Sequence, residues 1–185
     1  MSLLKVSILV FVVSFAGITA KADSILWKGI LDQPKYNVFF LRHALAPGYG
    51  DPTDFNIDNC KTQRNLNSEG RDQAASIGTD LKSIGISFDK IYSSEWCRCT
   101  ETASLLNLGE VTAFSGLNSF FQDHYNREET LGKLMNQLEN LDKTGRVLMV
   151  THQVVISAVT GIDVSSGVAV AYNPSDGSAV KLSMR

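Results

Sequence analysis

The chain has 185 residues, of which 44% are apolar, 19% charged and 9% aromatic, and its 17 basic and 19 acidic side chains leave a formal net charge of −2. That length suits one domain with a proper core and is short for two, and the apolar fraction excludes a disordered chain. The near balance of charge offers no field for gripping a nucleic-acid backbone, so no nucleic-acid partner is expected; a local basic cluster for one small anion stays open.

The first residues read as an export signal. Lys5 precedes Val6 to Ala16, an apolar run broken only by Ser7 and Ser14, and Ala20-Lys21-Ala22 supplies an A-x-A cleavage pattern. The run falls short of the roughly 20 apolar residues that a spanning helix needs. The expected division is a signal peptide over 1–22 and one domain over 23–185, with no stable membrane insertion after cleavage and a periplasmic or secreted product. In such an oxidising space Cys60 has two candidate disulfide partners, Cys97 and Cys99. Those two are too close in sequence to bridge each other well, and an odd count leaves one thiol over.

Beyond the leader, strands alternate with helices. Tyr36 to Leu41 (YNVFFL) is a continuous apolar run, as in a strand buried on both faces. Ala44 to Gln63 is long, polar and rich in turn residues; a loop of that length in a compact domain is usually functional. Gly70, Ala74, Ile77, Leu81 and Ile84 recur at helical spacing, with Asn67 as N-cap and Gly85 as stop. A short strand is predicted over Phe88 to Tyr92, a helix from about Glu95 to Leu106 and a strand over Val111 to Phe114. Ser115 to Arg127 is irregular and aromatic. Leu131, Leu134, Leu138 and Leu141 mark a third helix, Val147 to Val150 another buried strand and Val154 to Val159 a helix ending at Gly161. Val168 to Tyr172 and Ala179 to Leu182 flank a turn and form a terminal hairpin. The alternation predicts an α/β fold, a three-layer α/β/α sandwich with a mostly parallel central sheet.

In such sheets ligands gather outside the carboxyl ends of the strands. The first strand ends in Arg42-His43, the second in Ser93-Ser94 with Arg98 one helical turn on, and the fourth in Thr151-His152. Two imidazoles and two guanidiniums are thereby expected on one rim. Guanidinium forks suit phosphate oxygens, and histidine serves as nucleophile or donor. Neither G-x-S-x-G nor H-E-x-x-H occurs, which sets aside serine-hydrolase and zinc-protease readings.

Four blocks resemble the histidine phosphatase, or phosphoglycerate mutase-like, superfamily. Leu41-Arg42-His43-Ala44 is similar to its R-H-G/A motif, and Arg64 to Ala74 (RNLNSEGRDQA) to its R-x-L-T-x-x-G-x-x-Q-A segment. Ile91 to Ala103 (IYSSEWCRCTETA) resembles its Y-S-S-x-x-x-R-x-x-x-T-A block, and Val150-Thr151-His152 its final V-S/T-H block. The resemblance implies a phosphoglycerate mutase-like fold and a metal-independent phosphatase without cofactor. His43 would attack phosphorus and become phosphohistidine, while Arg42, Arg98 and His152 hold the phosphoryl oxygens and Arg64 matches a further phosphate-pocket arginine. A small phosphorylated substrate is implied, an envelope sugar phosphate being one candidate; the alternative is a module that binds phosphate or a phospho-ligand with little turnover.

Two departures bear on proton donation to the leaving group. Gln153 follows His152 where one branch carries Asp, and Leu117-Asn118-Ser119 stands where another carries L-x-E. Asp123 is the expected substitute acid, with His124, Glu128 and Glu129 nearby. Without a strong acid, substrates with good leaving groups are expected, such as phosphoramidates, acyl phosphates and pyrophosphates. Specificity is expected to reside in Ala44–Gln63 and Ser115–Arg127.

Overall fold

A computed structural model describes residues 26–183, so the expected leader lies outside the described residues. Its sheet has six strands: β1 (Val38–Arg42), β2 (Lys90–Ser93), β3 (Val111–Ala113), β4 (Val147–Thr151), β5 (Ala169–Tyr172) and β6 (Ala179–Leu182). They lie in the order β3-β2-β4-β1-β5-β6. The first four are mutually parallel; β5 runs antiparallel to β1, and β6 antiparallel to β5.

Strand alternation sorts the core into two layers. Phe39 and Leu41 of β1 face one way, with Leu148 and Val150 of β4. They pack against Ile77 and Leu81 of α1 (Ser68–Ser83) and Cys99, Ala103 and Leu106 of α2 (Cys97–Leu106). Val38, Phe40, Val147 and Met149 face the other way, against Leu134 and Leu138 of α3 (Arg127–Glu139) and Val155 and Ile156 of α4 (Gln153–Thr160). The result is the three-layer α/β sandwich with a mostly parallel sheet that the periodicity predicts. A helical segment over 26–31 adds Trp27 to the first layer, stacked on Phe39 at 5.8 Å between ring centroids. Among the described residues no helix is long and apolar enough to cross a membrane.

Capping sets the starts of α1, as predicted at Asn67, and of α3. The Asn67 side chain accepts from Gly70 N at 2.8 Å and Asn126 from Glu129 N at 2.9 Å, satisfying amides that the first turn leaves open. Ser115 to Arg127 holds only two short 3-10 turns before α3 begins. The predicted third helix therefore starts earlier than its leucines suggest, at the Asn126 cap.

The close approach of α1 and α2 rests on one glycine. A Cβ at Gly78 would lie 2.1 Å from the backbone oxygen of Leu106. Gly78→Ala is expected to push the helices apart and cost about 1–3 kcal/mol, as overpacking does. A denaturant midpoint equal to that of the parent would contradict this account of the contact.

Candidate active site

The three central strands bring the chemistry together. β1 pairs with β4 so that Arg42 lies opposite Thr151, and β4 pairs with β2 so that Ser93 lies opposite Val150. Their carboxyl ends are therefore level, and the residues that follow, His43, Ser94 and His152, share one rim. The ring centroids of His43 and His152 are 5.5 Å apart. Arg42, His43, Arg64, Arg98 and His152 all line a single cleft of about 450 Å³. His43, Arg98 and His152 are only 2–3% exposed.

Hydrogen bonds assign the state of each imidazole. His43 Nδ1 donates to its neighbour's carbonyl, Ala44 O, at 2.7 Å, which leaves Nε2 with a free lone pair. For His152 the assignment runs through Asn118. The Asn118 oxygen accepts from Glu95 N at 2.9 Å and its amide nitrogen donates to Glu95 Oε2 at 2.6 Å, so the amide has one orientation. Ser94 Oγ then donates to that oxygen at 3.1 Å and accepts from His152 Nε2 at 2.9 Å. His152 is thus the Nε2–H tautomer, and its Nδ1 lies 3.4 Å from Arg98 Nη2 as an acceptor.

Both imidazoles are held neutral. Burial, reinforced by the charge of Arg98, lowers the His43 pKa to about 3 against the opposing pull of the Ala44 hydrogen bond. Burial, Arg98 and His43 likewise hold His152 well below the ordinary histidine value. Burial also pushes the free thiol of Cys99 up to about 12, so it sits beside His152 Nε2, at 3.5 Å, as a neutral S–H.

The guanidiniums are fixed by the protein on one side only. Arg42 Nη1 donates to the Val164 carbonyl at 2.7 Å and to Gln153 Oε1 at 2.9 Å. The amide that replaces an acid in the sequence therefore orients Arg42. Arg64 donates from Nε to Gly50 O at 2.9 Å and from Nη1 to Ala46 O. Arg98 makes a forked pair with Asp51, Nη1 to Oδ1 at 2.7 Å and Nη2 to Oδ2 at 3.1 Å. The Nε–H groups of Arg42 and Arg98 are buried and have no acceptor among the described residues. Buried charged donors left unpaired are costly.

Asp51 is the site residue that sequence reasoning missed. It accepts from Arg64 N at 2.9 Å and Trp96 Nε1 at 3.1 Å as well as from Arg98. Burial raises its pKa, but the Arg98 hydrogen bond and charge, with the two N–H donors, outweigh that and hold it below the usual carboxylate range. Its only sequence signal was its place in the long polar loop. Ser94 and Asn118, which set the tautomer of His152, carried no spacing signal for that task either.

Asp123 is not brought to the cleft. It is exposed, in a 3-10 turn over Phe121–Asp123, and absent from the lining. The expected substitute acid is corrected accordingly: the turn points the segment's aromatic residue, Phe121, into the lining instead. His124 stacks on Phe55 at 4.2 Å between centroids, and Glu129 pairs with Lys133 on the exposed start of α3. The open choice of disulfide resolves as Cys60–Cys97, with a Cα–Cα distance of 5.7 Å. It ties the end of the Ala44–Gln63 loop to the residue before Arg98, alongside Gln63 Oε1, which accepts from Cys97 N at 2.9 Å.

Residues 38–120 match the histidine phosphatase superfamily (branch 1). No curated protein matches the sequence significantly. Among solved structures, the protein histidine phosphatase SixA complexed with tungstate is 14% identical with a TM-score of 0.54, the alignment covering 78% of this chain and 92% of that one. A putative alpha-ribazole-5'-P phosphatase from Escherichia coli is 18% identical with a TM-score of 0.55, over 78% and 93% of the two chains. Phosphoglycerate mutase from Thermus thermophilus is 20% identical with a TM-score of 0.55, over 80% and 99%. The family match over residues 38–120 and these structures agree on the fold, which this chain shares with histidine phosphatases and phosphoglycerate mutases.

Two expectations follow. Under oxidising, denaturing conditions one thiol should titrate, rising to three after reduction, and reduction should cost roughly 4 kcal/mol of stability for a crosslink of sequence separation 37. Three free thiols before reduction would contradict the bridge. The depressed imidazole pKa values also set a pH dependence. Unfolded histidine binds a proton near pH 6.5, whereas folded His43 stays neutral until about 3. Stability should therefore fall as pH drops below 6.5, by about 1.4 kcal/mol per pH unit for each such histidine. The carboxyl of Asp51, held below the ordinary aspartate range by Arg98, adds its own loss at still lower pH, as protonation removes the pair. Unfolding free energies of His43→Asn between pH 7 and 4 should show a slope smaller by one proton; an unchanged slope would refute the buried neutral state.

Proposed function

We propose that this protein hydrolyses a phosphomonoester or related phospho-compound through a phosphohistidine on His43. The observation that supports the reading best is a free His43 Nε2 lone pair in a cleft lined by three arginines, two of which carry an unpartnered N–H. A transferring phosphoryl group carries spread negative charge, and its catalysis is largely positioning plus electrostatic stabilisation. Three guanidiniums against one carboxylate supply that here.

Arg42 and Arg98 hold phosphoryl oxygens with their guanidiniums, with Arg64 beside them. His43 Nε2 attacks phosphorus, and the leaving group departs toward the open mouth of the cleft. His152 meets the dianion with its Nδ1; the added negative charge draws a proton to that atom, so the ring holds a phosphoryl oxygen as imidazolium. Water then attacks phosphorus, the P–N bond breaks and phosphate leaves, which splits one difficult step into two easier ones. No step in this scheme requires a metal. With its leader read as a signal peptide, the enzyme works in the periplasm or outside the cell, on a small phosphorylated substrate.

A second reading is supported by Asp51, whose carboxylate occupies both Nη groups of Arg98. In it the cleft captures phosphate or a phospho-ligand with little turnover. Chromogenic aryl phosphate separates the two. On the enzyme reading, His43→Ala should lower kcat/KM by at least about 10³-fold, and acid-labile phosphate should appear on His43 in quenched turnover. Phosphate binding without turnover in the parent would select the binding module, and turnover surviving in His43→Ala would refute the phosphohistidine route.

A further inference from the structure

The Cys60–Cys97 bridge is not sealed inside the fold. Both cysteines line a surface groove of about 510 Å³ that shares no lining residue with the phosphoryl cleft, with Asn65, Arg71, Thr100 and Glu101 beside them. Cys60 is exposed and Cys97 half-buried. The two sulfurs are unequal as leaving groups. Cys97 is the first residue of α2, and its N-cap, Trp96, gives the first turn no side-chain bond. A thiolate there meets the positive end of a ten-residue helix. Cys60 lies in a three-residue 3-10 turn, which offers no comparable dipole. The sulfur with the lower thiol pKa leaves faster, so an external thiolate is directed to the exposed Cys60 and expels Cys97. Cys99 does not compete: it is buried, and burial pushes its thiol up to about 12.

The bridge holds a segment that bonds largely to itself. Phe55 N donates to Pro52 O, Asn59 N to Asn56 O and Thr62 N to Asn59 O. Thr62 Oγ1 accepts from Asn56 N at 2.9 Å, and Gln63 Nε2 donates to the Asn56 and Ile57 carbonyls at 3.1 and 2.9 Å. Residues 52–63 thus form a small knot. Beyond the partial packing of Phe55 and Ile57 against the core, it is fastened by Gln63 Oε1 on Cys97 N, by Asn65 Nδ2 on Cys60 O at 2.6 Å, and by the bridge. Asp51, whose carboxylate orients Arg98, stands where this knot joins the cleft.

We propose that Cys60 is an exchange site for an external dithiol, and that reduction there frees the 52–63 segment as a flap and weakens anion binding in the phosphoryl cleft. A thiolate of the dithiol attacks Cys60 Sγ, the S–S bond breaks and its electron pair leaves on Cys97 Sγ. The second thiolate of the dithiol then attacks the mixed disulfide, and the pair leaves on Cys60 Sγ. Both cysteines end reduced and the dithiol ends as a disulfide. Loss of the bridge lets Asp51 move with the flap, so Arg98 loses its fixed orientation. The link to the cleft rests on phosphate binding, which both readings above share, and does not require turnover.

The parent treated briefly with glutathione, quenched with an alkylating reagent and peptide-mapped, should carry glutathione on Cys60 and the alkyl group on Cys97. The reverse pattern, or no reaction without denaturant, would overturn the exchange site. Under dithiothreitol, with circular dichroism unchanged, the amides of residues 52–63 should exchange hydrogen roughly tenfold faster. Inorganic phosphate should then bind several-fold more weakly, and reoxidation should restore both. The double variant Cys60→Ser/Cys97→Ser should bind phosphate as the reduced parent does and ignore dithiothreitol. Phosphate affinity that reduction leaves unchanged would overturn the link to the cleft, and loss of the circular dichroism signal on reduction would overturn the flap. An oxidised parent that binds no phosphate would instead sink the phosphate-cleft reading, while the glutathione pattern would still report on the exchange site.

Discussion

Three guanidiniums crowded onto one rim repel one another, and the buried Asp51 carboxylate is what allows Arg64 and Arg98 to share it. Burial first, and the charge of Arg98 second, depress the pKa of both Arg42 and Arg64. Asp51 answers with a forked pair to Arg98 and a backbone contact at Arg64. Breaking such a buried pair leaves an uncompensated charge and costs several kcal/mol. An excess of positive charge remains on the rim, and the Nε–H groups of Arg42 and Arg98 have no acceptor among the described residues.

The same electrostatics govern the imidazoles. A cationic, desolvated rim disfavours two further positive charges, so both rings stay neutral. Neutrality suits the two rings differently because their hydrogen bonds differ. Ala44 takes the Nδ1 proton of His43 and exposes a nucleophilic Nε2, while Ser94 takes the Nε2 proton of His152 and exposes Nδ1 toward Arg98. A proton drawn in with the phosphate dianion would turn the second ring from acceptor to donor without disturbing the first.

The two long loops are held by devices of different kinds. The Cys60–Cys97 bridge and Gln63 pin the far end of Ala44–Gln63 beside Arg98. The Gln122 amide ties its near end to the aromatic turn, through a left-handed backbone that would be unfavourable in isolation. The arginines of the cleft and the exposed Tyr49–Phe121 pair are thereby positioned by the same few residues, chiefly Asp51.

The sheet, its layers and four of the cleft residues were legible in the sequence because they obey local rules. The apolar run ending at Arg42-His43, the VLMV strand ending at Thr151-His152 and the Asn67-capped helix follow from periodicity, capping and the tendency of strand ends to share a rim. Asp51 was not legible, since nothing in its neighbours shows that it lies under Arg98, 47 positions away. The choice of Cys97 over Cys99 was equally hidden: two residues of helix rotation turn Cys99 into the core and leave Cys97 toward the loop. Asp123 was misplaced for a related reason, because the left-handed turn at Gln122 directs Phe121 rather than the carboxylate into the cleft. Sequence alone determined which residues stand at the strand ends, through patterns that repeat within a few residues. Only the tertiary structure decided what those residues touch, because contacts between distant loops depend on the path of the backbone between them.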